Sequence, residues 1–159
     1  MAWLYLLILL LLAAGLWGAY RLLGTPSRLA PTDYKVVLAD VATSVERAAG
    51  QLRRALEAGD GNLADAATAA RKIFQTGYYQ TLRLRPSTGP DLAAGTRAEL
   101  GRACEAYDWA SRMLASESVR NPLVLEAARR LLDAGDAALI QAARELPPAP
   151  DAPRESTAP

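Results

Sequence analysis

The chain has 159 residues, 51% hydrophobic and 22% charged, with a formal net charge of +1, so its composition carries no global bias toward nucleic acid or acidic ligands. One cysteine, Cys104, and no histidine exclude an intrachain disulfide, a Cys/His zinc site, a histidine haem ligand and any His-based dyad or triad. No spacing of carboxylates, Tyr or Arg marks a substitute, and the expectation is a non-catalytic protein without metal or cofactor and without a nucleic-acid partner.

Residues 1–23 read as a membrane anchor. From Ala2 to Tyr20 no side chain carries a formal charge, and in helical form that run covers about 28 Å, close to a bilayer's hydrocarbon thickness. Trp3 and Tyr5 mark one end and Trp17 and Tyr20 the other, where amphipathic rings settle between headgroups and acyl chains. A cleaved signal peptide needs a basic leading segment and a shorter apolar core, and this run has neither. Arg21, Arg28 and Lys35 outweigh Asp33 after the span, so the positive-inside rule places the N-terminus outside and the rest at the cytoplasmic face of the cell membrane. Ala14 and Gly18, and Gly15 and Ala19, are four apart, giving a strip of small residues on which a second membrane helix packs closely, from another protein or a second copy. The plain alternative is that the strip faces lipid.

Gly24, Thr25, Pro26 and Pro31 make 24–32 a short, stiff linker. The first helix of the body starts after a Thr32 or Asp33 cap and runs to Ala58, with Leu38, Val41, Val45, Ala48, Leu52 and Ala55 stepping by threes and fours. Gly59 to Asn62 stops it and starts the next. That second helix carries Leu63, Ala66, Ala70, Ile73 or Phe74, Gly77 and Thr81 on one face. Arg85 to Pro90 is a breaker-rich loop, and Asp91 is expected to cap a third helix with Leu92, Thr96, Leu100, Ala103, Tyr107, Ala110 and Leu114 on its seam. Asn121-Pro122 is a cap followed by proline at the first helical position, opening a fourth helix with Leu125, Ala128, Leu132, Gly135, Leu139, Ala142 and Leu146.

The expected fold class is therefore all-α: an N-terminal transmembrane helix followed, over 33–146, by an antiparallel four-helix bundle with coiled-coil-like seams. Residues 53–60, RRALEAGD, echo residues 129–136, RRLLDAGD. If the second copy is also a turn, the last helix splits near Gly135 and the body becomes stacked helical hairpins of the tetratricopeptide kind. Residues 147–159 hold five of the prolines and no large apolar side chain, and read as a disordered tail.

Two surface features stand out. Arg71, Lys72, Arg83 and Arg85 interleave with Tyr78 and Tyr79 in a stretch without acidic residues, a candidate contact for anionic lipid or phosphate, against the alternative of solvated or ion-paired charges. Trp109, with Met113 one turn on, points away from a core-facing Tyr107 and is a candidate partner anchor, unless it covers the margin of a wide buried stripe. Cys104 reads as a small buried apolar residue. Together these features suggest a single-pass, membrane-anchored helical scaffold, adaptor or accessory subunit of a membrane complex. The alternative is a membrane-tethered module that binds a lipid or small ligand.

Overall fold

Proline and glycine punctuate the chain in space much as they do in sequence. The computed structural model describes residues 2–24, 27–59, 62–116, 119 and 121–147. Within them lie five helices, α1 (Ala2–Gly24), α2 (Pro31–Ala58), α3 (Leu63–Arg83), α4 (Ala94–Leu114) and α5 (Pro122–Ala143), and two short strands, β1 (Ser27–Leu29) and β2 (Leu84–Pro86). Pro31 occupies the first turn of α2, where its missing N–H costs nothing, and Gly59 closes that helix at φ 63°. Asn121 accepts a hydrogen bond from the Leu123 amide at 2.9 Å to cap α5, with Pro122 behind it, as expected.

Helices α2 to α5 form a helical bundle in which each helix packs on the next, most extensively α4 on α5. The expected seams are its core: Leu38, Val45, Leu52, Phe74, Leu100, Tyr107, Leu114 and Leu132 are all essentially inaccessible. Burying each such side chain contributes about 1.5–3 kcal/mol before the entropy of ordering is counted. Helix α3 supplies little volume, and the others close in on it at small residues. A Cβ on Gly77 would come within 3.0 Å of Cys104 Sγ and 3.1 Å of Val45 Cγ2, and one on Gly101 within 3.1 Å of Thr81 Oγ1.

Three expectations need correction. The first is the start of the first body helix: α2 opens at Pro31 behind Ala30, ahead of the expected Thr32 or Asp33 cap. The last helix is continuous, as the four-helix reading expects: α5 passes through Gly135 uninterrupted, so the turn that the alternative of stacked hairpins requires is absent. The glycine is there because the Tyr107 ring lies against the helix backbone. The second is the start of the third helix. It begins at Ala94, after the residue expected to cap it, because the Asp91 carboxylate is taken by Arg97 and Tyr34. Leu92 consequently falls outside the helix and is 80% exposed instead of joining the seam. The third concerns the linker, where Ser27, Arg28 and Leu29 pair in parallel with Leu84, Arg85 and Pro86. The Ser87 amide extends the pairing by donating to the Leu29 carbonyl at 2.7 Å.

The described side chains of α1 are mostly exposed, Trp3 at 87% and Leu16 at 76%. Among the described residues no helix is long and apolar enough to cross a membrane, so the span expected over Ala2–Tyr20 is not met within them. The side chains at 2, 4, 6, 7, 9 and 19–24 of α1, including Leu4, Leu6, Leu7 and Leu9, lie outside the described residues. Most of the expected tail, 148–159, lies outside them as well.

Candidate functional site

The bundle is tightly zipped along three of its seams and loosely along the fourth, between α2 and α5. There an open groove of about 680 Å³ runs between small residues of α2, among them Ala39, Ala42 and Gly50, and the larger Leu139 and Ile140 of α5. Small side chains at these α2 positions leave space between the two helices, partly spanned by Arg53, Tyr107 and Asp136. Ile140, on the rim, is 56% exposed.

Tyr107 and a cluster of charged groups line the groove. Tyr107, at the centre of α4, stacks on Phe74 of α3 with ring centroids 5.0 Å apart and planes at 28°. Its hydroxyl donates to Asp136 Oδ1 at 2.6 Å, and the other oxygen of that carboxylate sits 2.5 Å from an Arg53 terminal nitrogen. Arg53 also reaches Asp133 at 3.0 Å. One arginine of α2 is thus tied to two carboxylates of α5, and one of those to a buried phenol of α4. Burial and the hydrogen bond to Asp136 push the Tyr107 phenol well above its usual range. Burial pulls the Arg53 guanidinium down, but Asp133 and Asp136 outweigh it and hold Arg53 above its ordinary value. Chemically, the cluster keeps Tyr107 protonated and Arg53 charged. It fixes the separation of α2 and α5 at this level and leaves the groove beside it open.

Cys104 is fully buried beside this layer, and desolvation pushes its thiol up to about 12, the condition of an unreactive packing residue. Trp109 is 49% exposed on the opposite side of α4, where it helps line a second open groove against α5. The Arg112 guanidinium lies over its ring at 4.8 Å, and Met113 is half-buried against the core. The aromatic therefore covers the margin of the α4–α5 interface while keeping an accessible edge.

The basic stretch divides into three fates. Arg71 is drawn to Asp108 on α4 at 3.2 Å. Arg85 turns inward and donates to the Leu84 and Thr81 carbonyls. Lys72, Tyr79 and Arg83 stay together along α3 beside Leu29 of β1, with the Arg83 guanidinium 5.7 Å from the Tyr79 ring centroid. Tyr78 is 39% exposed. In α1, Ala14 and Gly15 are exposed, and a Cβ at Gly15 or Gly18 would meet nothing within 4 Å. The strip of small residues is thus uncovered by this chain, and the Ala19 side chain lies outside the described residues.

Sequence reasoning did not assemble Arg53, Tyr107, Asp133 and Asp136. The signal lay in the internal echo, since Arg53 belongs to its first copy and both carboxylates to its second. No protein-family model, curated protein or solved structure matches the chain.

Proposed function

We propose that the chain is a membrane-anchored, non-catalytic helical adaptor or accessory subunit, held in the bilayer by α1 and offering the α2–α5 groove to a partner. The observation that carries this reading is the loosely closed fourth seam. A groove walled by Ala, Gly, Leu and Ile, with Glu46, Arg47, Arg53 and Asp136 among its lining, suits an amphipathic helix or extended segment, in which a few buried anchors supply most of the binding energy. The membrane placement is supported by the uncharged run from Ala2 to Tyr20 and by the exposure of Trp3, Leu10, Leu11, Leu12 and Leu16 on α1. The basic bias of Arg21, Arg28 and Lys35 favours a cytoplasmic body. The uncovered strip of Ala14, Gly15 and Gly18 favours a second membrane helix beside α1, from another membrane protein or another copy.

Purifying the full chain in mild detergent, as wild type and as Ile140→Glu, tests the adaptor reading. A charge on the groove rim should abolish stoichiometric co-purification of a protein partner while leaving the melting temperature almost unchanged. A partner retained equally by both, or none with either, would overturn it.

A second reading, a tethered lipid- or small-ligand-binding module, draws on the groove's size, which lies within the 300–1,000 Å³ range of small-molecule sites. It also draws on the groove's Arg53–Asp136 lining. Native mass spectrometry of the purified chain separates the two, since this reading expects a bound small molecule that Ile140→Glu displaces.

A further inference from the structure

The chain length between the anchor and the body restricts which surface of the body meets the bilayer. From Gly24, the last residue of α1, three Cα steps reach Ser27, where the chain is already paired with Leu84. Three trans peptide units span at most about 11 Å. If α1 lies in the membrane, as the proposed function holds, the β1–β2 end of the body cannot move further than that from the end of α1, one helical turn past the uncharged run.

Leu92, in the loop after β2, is 80% exposed, and Leu82 and Tyr79, on the last turns of α3, are 52% and 57% exposed. Arg28 projects to the surface from β1, and Arg83 lies over Tyr79. Of the nearby acidic side chains, Asp91 is already bridged to Arg97 and Tyr34, and Glu145 accepts from Thr96 at 2.5 Å; Asp33 is exposed. Two exposed leucines, an exposed tyrosine and two arginines without a carboxylate partner among the described residues are the groups that settle at an anionic headgroup layer. Leucine and tyrosine enter the acyl boundary while the guanidiniums stay with phosphate.

We infer that the β1–β2 end of the body, through Leu92, Leu82, Tyr79, Arg28 and Arg83, docks on the anionic headgroup surface of the bilayer that holds α1, so that the bundle stands on the membrane by one end. The inference rests on the anchor reading. It replaces the broader basic strip by the part of it that the fold leaves available, with Arg71 and Arg85 occupied elsewhere.

The test uses the full chain in vesicles with or without anionic lipid, carrying an environment-sensitive fluorophore on Leu92→Cys or, as the reference, on Leu123→Cys. Leu123 is 77% exposed at the start of α5, at the opposite end of the bundle. Cys104 is buried and does not compete for the label. Flotation of the same samples reports whether the chain partitions into the bilayer, and lipids quenching at headgroup depth report docking. The expected result is flotation of both labelled chains, strong quenching at 92 and none at 123. Quenching at 92 should fall to the level seen in neutral vesicles when Arg28 and Arg83 are both changed to Glu. A chain that fails to float overturns the anchor reading and this inference with it. A chain that floats but is unquenched at 92, or is quenched equally at both ends, overturns the docking alone and leaves that end free for a protein.

Discussion

The ring of Tyr107 occupies the space that any side chain at position 135 would need: a Cβ built on Gly135 would lie 2.5 Å from Cε1 and 2.7 Å from Cδ1. The ring has nowhere to retreat, being stacked on Phe74 and hydrogen-bonded to Asp136. Two effects compete in Gly135→Ala. The helix gains about 0.8–1 kcal/mol from the better propensity of alanine, while overpacking a rigid core costs typically about 1–3 kcal/mol. The clash should win, because the group that has to yield is an aromatic ring and not the tip of a flexible chain. Urea denaturation should show Gly135→Ala less stable than wild type. The comparison is Gly50→Ala, where an added Cβ meets only Arg54 Nη1, at 3.8 Å. That variant should gain about 0.5–1 kcal/mol. A stabilised Gly135→Ala would mean that the ring does not lie there.

Asp136 should be worth more than the hydroxyl it holds. Removing the phenol oxygen in Tyr107→Phe leaves Asp136 its Arg53 partner and should cost about 0.5–1.5 kcal/mol. Asp136→Ala strands a buried hydroxyl and removes one of the two carboxylates on Arg53, and should cost about 1–3 kcal/mol. The ion pair itself adds little, since both side chains are partly exposed. The double variant should be less destabilised than the sum of the singles. Strict additivity would show that the two side chains do not interact.

Much of the bundle was legible before any coordinates. The seam residues of all four body helices follow from steps of three and four, and most are buried, with Ala55, Leu63, Ala66, Leu125 and Leu146 partly so, because helical periodicity is a local property. Leu92 failed because the start of α4 depends on where the Asp91 carboxylate goes, and Arg97 and Tyr34 claim it through tertiary contacts that no local pattern records. Gly135 belongs to the seam as the periodicity expects, but a glycine in a helical run signals either a turn or a close approach, and only the position of a ring on another helix decides between them. Strand β1 was invisible because three residues have no periodicity of their own. The groove was hidden too, since alanine on a seam looks the same whether the facing helix closes on it or stands off.

Alkaline pH should loosen the body in a defined window. Burial pushes the Tyr34 phenol up to about 12, with the Asp91 charge adding to it, and the Cys104 thiol also to about 12; Tyr107 is raised as well. In the unfolded chain the corresponding groups ionise near 9.0 for cysteine and 10.0 for tyrosine. The folded state therefore binds these protons more tightly, so their stabilisation is complete below about pH 9 and declines as pH rises toward 12. The urea midpoint should be flat through neutrality and fall above pH 9, and less steeply in Tyr107→Phe. A midpoint unchanged up to pH 11 would show that these groups are exposed to solvent.

Shortening the chain to begin at Ala30 should spare the helices and release the strand. Among the described residues, the core of α2 to α5 contains no side chain before that point other than the half-buried Leu29, so the shortened body should stay soluble and helical by circular dichroism. The Ser87 amide, which donates to the Leu29 carbonyl, should exchange slowly with solvent in the full chain and rapidly in the shortened one. Equal exchange in both would show that β1 does not pair.

The parallel pairing of β1 with β2 also sets an order of events during synthesis. The two strands are separated in the chain by the whole of α2 and α3, so Ser27 to Leu29 has no partner until both helices have emerged and Leu84 to Pro86 has followed. Closing so long a loop is slow and is favourable only once the α2–α3 hairpin has brought its ends together. A newly made body would thus remain loosely leashed to α1 while its first hairpin folds, and the leash would shorten only when β2 follows α3.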